Sequence, residues 1–321
     1  MKELIISYIL GMACLTGYPQ ISPAIQLNDS AKIFGKDIIS AGDFVFNPSF
    51  TPDGKTVFFS KATTNFGYIA IFYSTKKGGK WSEPRAVNFT GVYRDADPFI
   101  SADGKYLYFS SDRPVDGKPF KDFDFHCFYV ELNGNIVISK PTPLDLPHTE
   151  KMKPAYFSFA NNGDVYFFSI DSAGHGGIFM SEFKNGEYQR PAGLPFNDTK
   201  FFDFDPTVAA DESFIVFTSE NRKGFGGNDL WISFKKAGSW TEPVNMGSKI
   251  NSKGMEAAPS LSRDKKTLYF SSFKEEMDRP KYKDGKVTTR AIMNLFHSPK
   301  DGLLSIYEIN ISDMGSFKKA K

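Results

Sequence analysis

Residues 97–110 read Asp-Pro-Phe-Ile-Ser-Ala-Asp-Gly-Lys-Tyr-Leu-Tyr-Phe-Ser, and this stretch decides the fold. Two apolar runs flank the dipeptide Asp103-Gly104. That dipeptide favours a tight hairpin turn because glycine accepts the positive φ that such turns need. A proline can open a strand whose missing N–H lies outside the hydrogen-bond ladder. The stretch therefore predicts a pair of antiparallel strands.

The same template occurs five times along the chain. It is marked by Pro48, Pro98, Pro154, Pro206 and Pro259, at spacings of 50, 56, 52 and 53 residues. A third strand follows each pair, and an edge-like fourth element comes next, as at residues 81–84, 188–191 and 240–243. Four-stranded antiparallel units repeated around an axis are typical of β-propellers, which protect their sheet edges in this way.

The two ends of the chain indicate how the ring closes. The fifth repeat ends soon after its third strand at 306–309 and leaves no room for a fourth. Residues 31–39 begin 17 residues ahead of Pro48, as Trp81 lies 17 residues ahead of Pro98. The sequence therefore predicts an all-β fold, a five-bladed β-propeller closed by an N-terminal strand. Six blades, the alternative, would need a repeat that the sequence does not show.

The N-terminus indicates export. An apolar stretch at residues 4–15 follows Lys2, so residues 1–24 are predicted to be a signal peptide. Cys14 ends a lipobox-like sequence at residues 10–14 and is a candidate for lipidation, which would give an N-terminal lipid anchor. Residues 25–313 are predicted to form one propeller domain and residues 314–321 a C-terminal tail. No other apolar run is long enough for a transmembrane span.

Composition supports an all-β protein and excludes one class of partner. Aromatic residues make up 16% of the chain, with 33 Phe and 14 Tyr, and such side chains favour strands. The net charge is only +2, so no global field favours nucleic acid. Only two cysteines occur, far apart in sequence, which argues against a disulfide framework.

Residues 49–55, 97–114 and 221–231 resemble the repeats of TolB-like (WD40-like) β-propellers, and the resemblance extends over residues 31–311. It implies a protein of the bacterial cell envelope that holds a partner protein. The implied location is the periplasm, the outer membrane surface or the extracellular space. The better-known members have six blades, so a count of five departs from their pattern.

The first strand of each blade should line the central channel. We expect the residues one and three places before the template prolines to converge at one mouth, where they would bind a ligand. With the neighbouring arginine, this set is Asn47, Arg94, Asp95, Asp97, Lys151, Lys153, Asp203, Asp205 and Glu256. Carboxylate oxygens at such a mouth could also hold Ca²⁺, although no cofactor is required. Alternatively, each aspartate simply caps the turn into its strand.

Two functions remain open at this point. The first is a non-enzymatic binding or scaffold propeller that contacts an envelope protein or a glycan through its loop face and the acidic channel mouth. The second is an arabinanase-like glycosidase, with Asp97, Asp205 and Glu256 as its carboxylates. Those enzymes carry an essential aspartate in blade one and, in blade three, the glutamate that acts as the catalytic acid. This sequence has Asn47 and Lys153 at those places.

A long segment between the last two strands, residues 273–303, stands apart from the repeats. It is rich in lysine and arginine, interspersed with acidic residues. Insertions of this length in compact folds are often functional or disordered. The segment is interpreted as a solvated hairpin or as a partner-binding arm or lid.

Overall fold

A computed structural model describes residues 25, 27–115, 124–147, 152, 154–170, 175–273, 289–290, 293 and 303–316. Its strands form five antiparallel blades, and within each blade the strands follow one another outward from the central axis. The all-β, five-bladed propeller predicted from the repeats is therefore confirmed. No helix among the described residues is long and apolar enough to cross a membrane.

The strands fall into the blades in chain order, after β1 (Lys32–Ile33). Blade 1 contains β2 (Phe44–Phe50), β3 (Thr56–Ala62), β4 (Ile69–Lys77), β5 (Lys80–Trp81) and β6 (Arg85–Ala86). Blade 2 contains β7 (Asp95–Ile100), β8 (Tyr106–Ser111), β9 (His126–Asn133), β10 (Ile136–Val137) and β11 (Thr142–Pro143). Blade 3 contains β12 (Ala155–Phe159), β13 (Val165–Ile170), β14 (Gly176–Ser181), β15 (Phe183–Lys184), β16 (Glu187–Tyr188) and β17 (Ala192–Gly193).

The remaining two blades follow the same plan. Blade 4 contains β18 (Phe202–Val208), β19 (Phe214–Glu220), β20 (Asn228–Lys236), β21 (Ser239–Trp240) and β22 (Val244–Asn245). Blade 5 contains β23 (Met255–Leu261), β24 (Thr267–Phe273) and β25 (Ser305–Asn310), and β1 is its outermost strand. A 3₁₀ helix, Ser312–Ser316, ends the described chain. Met314 in this helix is buried in the core between blades 4 and 5.

The predicted closure of the ring is confirmed. Strand β1 pairs antiparallel with β25, with Lys32 opposite Glu308 and Ile33 opposite Tyr307. The pairing continues past β1, because the Phe34 N–H donates to the Ile306 carbonyl at 2.8 Å. The two ends of the chain thus share one sheet, and the ring is fastened by backbone hydrogen bonds.

The outermost strands begin later in sequence than predicted. Trp81 and Trp240 lie in two-residue strands that pair with the far end of the third strand of their blades. The outer strands proper, β6, β17 and β22, come after the proline that ends each motif. The reason is that the proline interrupts the ladder, so the chain pairs once before it and again after it.

The core lies between neighbouring blades, where the second strands contribute fully buried phenylalanines. Phe58 of blade 1 packs in one cluster with Phe109 of blade 2. The other fully buried phenylalanines of the second strands are Phe59, Phe167, Phe217 and Phe270. Each such ring stabilises the fold by about 2 kcal/mol relative to an exposed one. The blades are therefore fixed relative to one another, which gives the loops a rigid support.

Every innermost strand carries a β-bulge at the same place. In blade 1 the register with β3 shifts by one residue between Phe46 and Ser49, and the other four blades repeat this shift. The bulged residues have φ between 49° and 55°, in the left-handed region. They are Asn47, Asp97, Tyr156, Asp205 and Ala258.

Candidate functional site

Two of the bulged residues, Tyr156 and Asn47, meet at the axis of the ring, together with Pro259, which follows the bulged Ala258. The hydroxyl of Tyr156 in blade 3 donates to Asn47 Oδ1 of blade 1 at 3.0 Å. It also lies 2.7 Å from the Pro259 carbonyl oxygen of blade 5. Because Tyr156 joins three blades while remaining 95% buried, it spans the channel at this level.

Asp97 and Asp205 are the axial carboxylates, and both are half-buried. Burial raises the pKa of Asp97 to about 6, although bonds from Ser110 and Asn47 oppose the shift. Burial, together with repulsion from Asp97, raises the pKa of Asp205 well above its usual value. The two groups therefore interact electrostatically, and at neutral pH they resist carrying two charges at once.

In blade 3 the alignment based on the template prolines is wrong. Lys151 and Lys153 were predicted at the mouth, but both lie outside the described residues. The bulge that should hold Lys153 is occupied by Tyr156, whose N–H donates to Ser110 Oγ at 3.0 Å, as the Asp97 N–H does to Ser60. The signal that would have found it is the turn glycine, since Tyr156 lies seven residues before Gly163, as Asp97 lies seven before Gly104.

The carboxylates three places before the prolines do not line an open mouth. Asp95 accepts from Ser111 at 2.7 Å and from Arg113 at 2.5 Å. Asp203 forms a two-pronged pair with Arg222 at 3.0 and 2.7 Å. Both side chains are almost fully buried in their own blade. The bulge explains this result, because an extra residue breaks the alternation by which residues one and three places before the proline would share a face.

Arg94 and Glu256 are also held by local contacts. The guanidinium of Arg94 pairs with Asp112 at 2.7 Å and donates to the Phe66 carbonyl at 3.1 Å. Glu256 is fully buried and accepts from the Ser252 N–H at 2.8 Å and from Ser272 at 2.8 Å.

The three candidate catalytic carboxylates are not brought together as one set. Burial raises the pKa of Glu256 to about 7, and the carboxylate that raises it further is Asp229. Asp97 and Asp205, in contrast, influence each other. Within the described part of the chain, no group of three or more His, Cys, Asp or Glu side chains could hold a metal ion. Binding of Ca²⁺ stays a prediction.

A cavity of about 940 Å³ lies at the opposite end of the innermost strands, where they turn into the second strands. We call it the basin. Its rim is built from the hairpin turns of the five blades at residues 51–54, 101–102, 160–161, 163, 210 and 262–265. None of the described residues predicted for the channel mouth lines it.

The rim is stiffened by a repeated side-chain motif. In blade 1 the Thr51 hydroxyl donates to Asp53 Oδ1 at 2.7 Å, and the Lys55 N–H donates to the same oxygen at 3.0 Å. Blades 2 and 5 repeat these contacts with Ser101 and Ser262. Side-chain bonds of this kind fix a turn without a large core beneath it.

Two groups of packed aromatic side chains line the basin, and we call them its aromatic walls. The first contains Phe34 from the closing segment and Phe50, Trp81 and Tyr269, with the rings of Phe50 and Tyr269 4.6 Å apart. The second contains Phe99, Tyr108 and Phe159, with the rings of Tyr108 and Phe159 4.2 Å apart. Sequence reasoning missed this site because these residues come from four blades and from the N-terminal segment. The recurring aromatic residues of the second strands were the available signal.

No family model and no curated protein sequence matches the chain. A TolB-assigned protein from Agrobacterium tumefaciens shares 16% identity with a TM-score of 0.49, over 84% of this chain and 90% of that one. The α-L-arabinofuranosidase PaAbf62A from Podospora anserina shares 13% identity with a TM-score of 0.50, over 89% of this chain and 93% of that one. Trypanosoma rangeli sialidase shares 11% identity with a TM-score of 0.42, over 77% of this chain and 47% of that one. The similarity with a TM-score of 0.50 concerns the fold alone.

Proposed function

We propose that this chain is a non-enzymatic binding propeller of the bacterial envelope, which receives an envelope protein or a glycan in the basin on its turn face. One observation carries the proposal. Asp95, Asp203 and Glu256 are bonded to serines and arginines of the protein itself, whereas the basin presents aromatic rings and hydroxyls in an open cavity of about 940 Å³. Pockets of this size and composition are typical ligand sites.

The binding role is tested by comparing two tryptophans. Trp81 lines the basin, whereas Trp240, its counterpart in blade 4, packs on Tyr166 outside it. Immobilised full-length protein would be exposed to fractionated envelope proteins and to envelope glycans. A species retained by the wild type and by Trp240→Ala but lost with Trp81→Ala supports the proposal. Retention that survives Trp81→Ala but is lost with Asp97→Ala would refute the basin as the site.

The envelope location is supported by the apolar stretch at residues 4–15 and by the TolB-like resemblance. Cell fractionation with antibody detection should find the protein outside the cytoplasm. Labelling with radioactive palmitate tests the lipid anchor, since Cys14→Ser should abolish any label while leaving export intact. A protein found only in the cytoplasm would contradict this part of the proposal.

A glycosidase remains the second candidate, because Asp97 and Asp205 are coupled axial carboxylates with pKa values raised by burial. Retaining and inverting glycosidases both need one protonated and one ionised carboxyl group. Release of reducing sugar from a polysaccharide panel, lost in both Asp97→Asn and Asp205→Asn, would establish it. Binding of Ca²⁺ at the carboxylates of the channel mouth is a separate proposal, and a melting temperature raised by Ca²⁺ and restored by a chelator is its test.

A further inference from the structure

The basin's open surface combines flat apolar faces with hydroxyl groups. Phe50, Trp81 and Tyr269 stand on one wall and Tyr108 with Phe159 on the other, and all five are half-buried. The rim hydroxyls of Thr51, Ser101 and Ser262 already donate to aspartates of their own turns, so the hydroxyls offered to a ligand are those of Tyr108 and Tyr269. Aromatic side chains with a polar tip suit ligands that are apolar on one face and hydrogen-bonding at their edges.

The phenols of the basin remain proton donors at neutral pH. Burial, with smaller effects from Cys127 and neighbouring tyrosines, raises the pKa of Tyr108 to about 12. Burial and the nearby Glu308 raise the pKa of Tyr269 as well. Both hydroxyls can therefore donate to a ligand oxygen as well as accept from a ligand hydroxyl.

The innermost strands offer little to an extended peptide. A peptide that adds to a sheet needs free backbone groups at the edge. Here the Ile100 N–H already donates to Ser49 of the preceding blade at 2.9 Å, and the Val208 N–H donates to Ser158 at 2.9 Å. The backbone N–H groups of Ile100 and Val208 are therefore already bonded within the protein, which favours recognition by side chains.

The charges around the basin are balanced. Asp53, Asp264 and Glu308 stand against Lys76, Arg263 and Lys265. Lys265 is paired with Asp211 at 2.5 Å, and the Lys76 ammonium lies 5.3 Å from the centre of the Trp81 ring. No single sign of charge dominates, so neither a polyanion nor a polycation is favoured.

We infer that the basin binds a short, neutral oligosaccharide by stacking sugar rings on its two aromatic walls. This inference rests on the proposed function, because it names the ligand class of the same site. The volume of about 940 Å³ is at the upper end of the range for small-molecule pockets, which runs to about 1,000 Å³. Sugar rings present apolar C–H faces to the walls, and their hydroxyls reach Tyr108 and Tyr269.

The test is calorimetric titration of the full-length protein with short neutral oligosaccharides of glucose, xylose, mannose and arabinose, and with an acidic oligogalacturonate. We expect binding of at least one neutral series, with a change in tryptophan fluorescence because Trp81 lines the basin. Trp81→Ala should raise the Kd by about 30-fold, equivalent to about 2 kcal/mol. Trp240→Ala should leave the Kd unchanged.

Conservative variants keep the test independent of folding. Tyr108→Phe and Tyr269→Phe remove one hydroxyl each and should raise the Kd by about 5- to 10-fold. Tyr73→Phe, on the third strand of blade 1 and outside the basin, is their control.

Three results would overturn the inference. Exclusive binding of the acidic sugar contradicts the neutral ligand class. Capture of a protein that depends on Trp81, with no oligosaccharide binding, overturns the ligand class but leaves the proposed function standing. Absence of any Trp81-dependent ligand contradicts both.

Discussion

The two ends of the innermost strands use their side chains in different ways. Where the strands begin, Asp95 and Asp203 are paired with Arg113 and Arg222 inside their own blades. Where the strands end, rings such as Phe50 and Phe159 face a cavity. The comparison teaches that an acidic cluster in the sequence can be the internal framework of a repeat. The ligand site then lies among residues that look like ordinary strand formers.

The largest expected effect is the loss of stability when the buried arginine that pairs with Asp203 is removed. Arg222→Ala leaves Asp203 buried with its charge uncompensated, so we expect a loss of about 4 kcal/mol in the free energy of unfolding. Urea denaturation measures it. Arg263→Ala, an exposed arginine at the basin, should change stability by no more than about 0.5 kcal/mol. Equal effects of the two variants would show that the Arg222 pair is not part of the framework.

The segment that closes the ring should contribute both to stability and to ligand binding in the basin. Phe34 is only 5% exposed and packs against Phe50, Trp81 and Tyr269. Phe34→Ala should therefore cost about 3 kcal/mol and also weaken binding in the basin. Thermal unfolding and ligand titration measure the two effects, with the exposed Ile136→Ala as the control. A stability loss without any change in binding would show that the closing segment supports the ring alone.

The buried Glu256 gives stability a pH dependence of definite sign. Its pKa is about 7 in the folded protein, above the ordinary 4.5, so the folded state favours the protonated form. This stabilisation is complete below about pH 4.5 and is lost as the pH rises through 7. Relative to Glu256→Gln, the wild type should lose up to about 3 kcal/mol between pH 4.5 and 8.

The control for this prediction is Glu83→Gln, because Glu83 is exposed. Its difference from the wild type, followed by urea denaturation across the same pH range, should stay flat. A flat difference for Glu256→Gln as well would mean that Glu256 is ionised in the folded protein.

The smallest effect concerns the axial tyrosine. Tyr156→Phe removes a buried hydroxyl that contacts Asn47 and the Pro259 carbonyl, so we expect a cost of about 1 kcal/mol. Binding in the basin should be unaffected. Tyr129→Phe, on the third strand of blade 2, is the matched control. Weaker ligand binding by Tyr156→Phe would mean that the axis and the basin act as one site.

Much of the fold could be predicted because repetition averages out local ambiguity. Asp53-Gly54 and Asp103-Gly104 specify their hairpins through local backbone geometry, and both glycines adopt positive φ. The missing fourth strand of the last repeat implied closure by residues 31–39, and β1 fulfils it. The predicted position of the bulged residue in blade 3 was wrong, because the alignment on Pro154 disagrees with the position of the turn at Gly163.

The blade count, the hairpins and the closure follow from the amino-acid sequence, because turn chemistry and strand periodicity act over a few residues. Which polar groups are satisfied internally, and which surface stays open, depends instead on contacts that form when the blades assemble. The bulges change the face on which each side chain lies, and partners such as Arg222 come from elsewhere in the blade. The basin exists only once five turns and the N-terminal Phe34 are assembled around one axis.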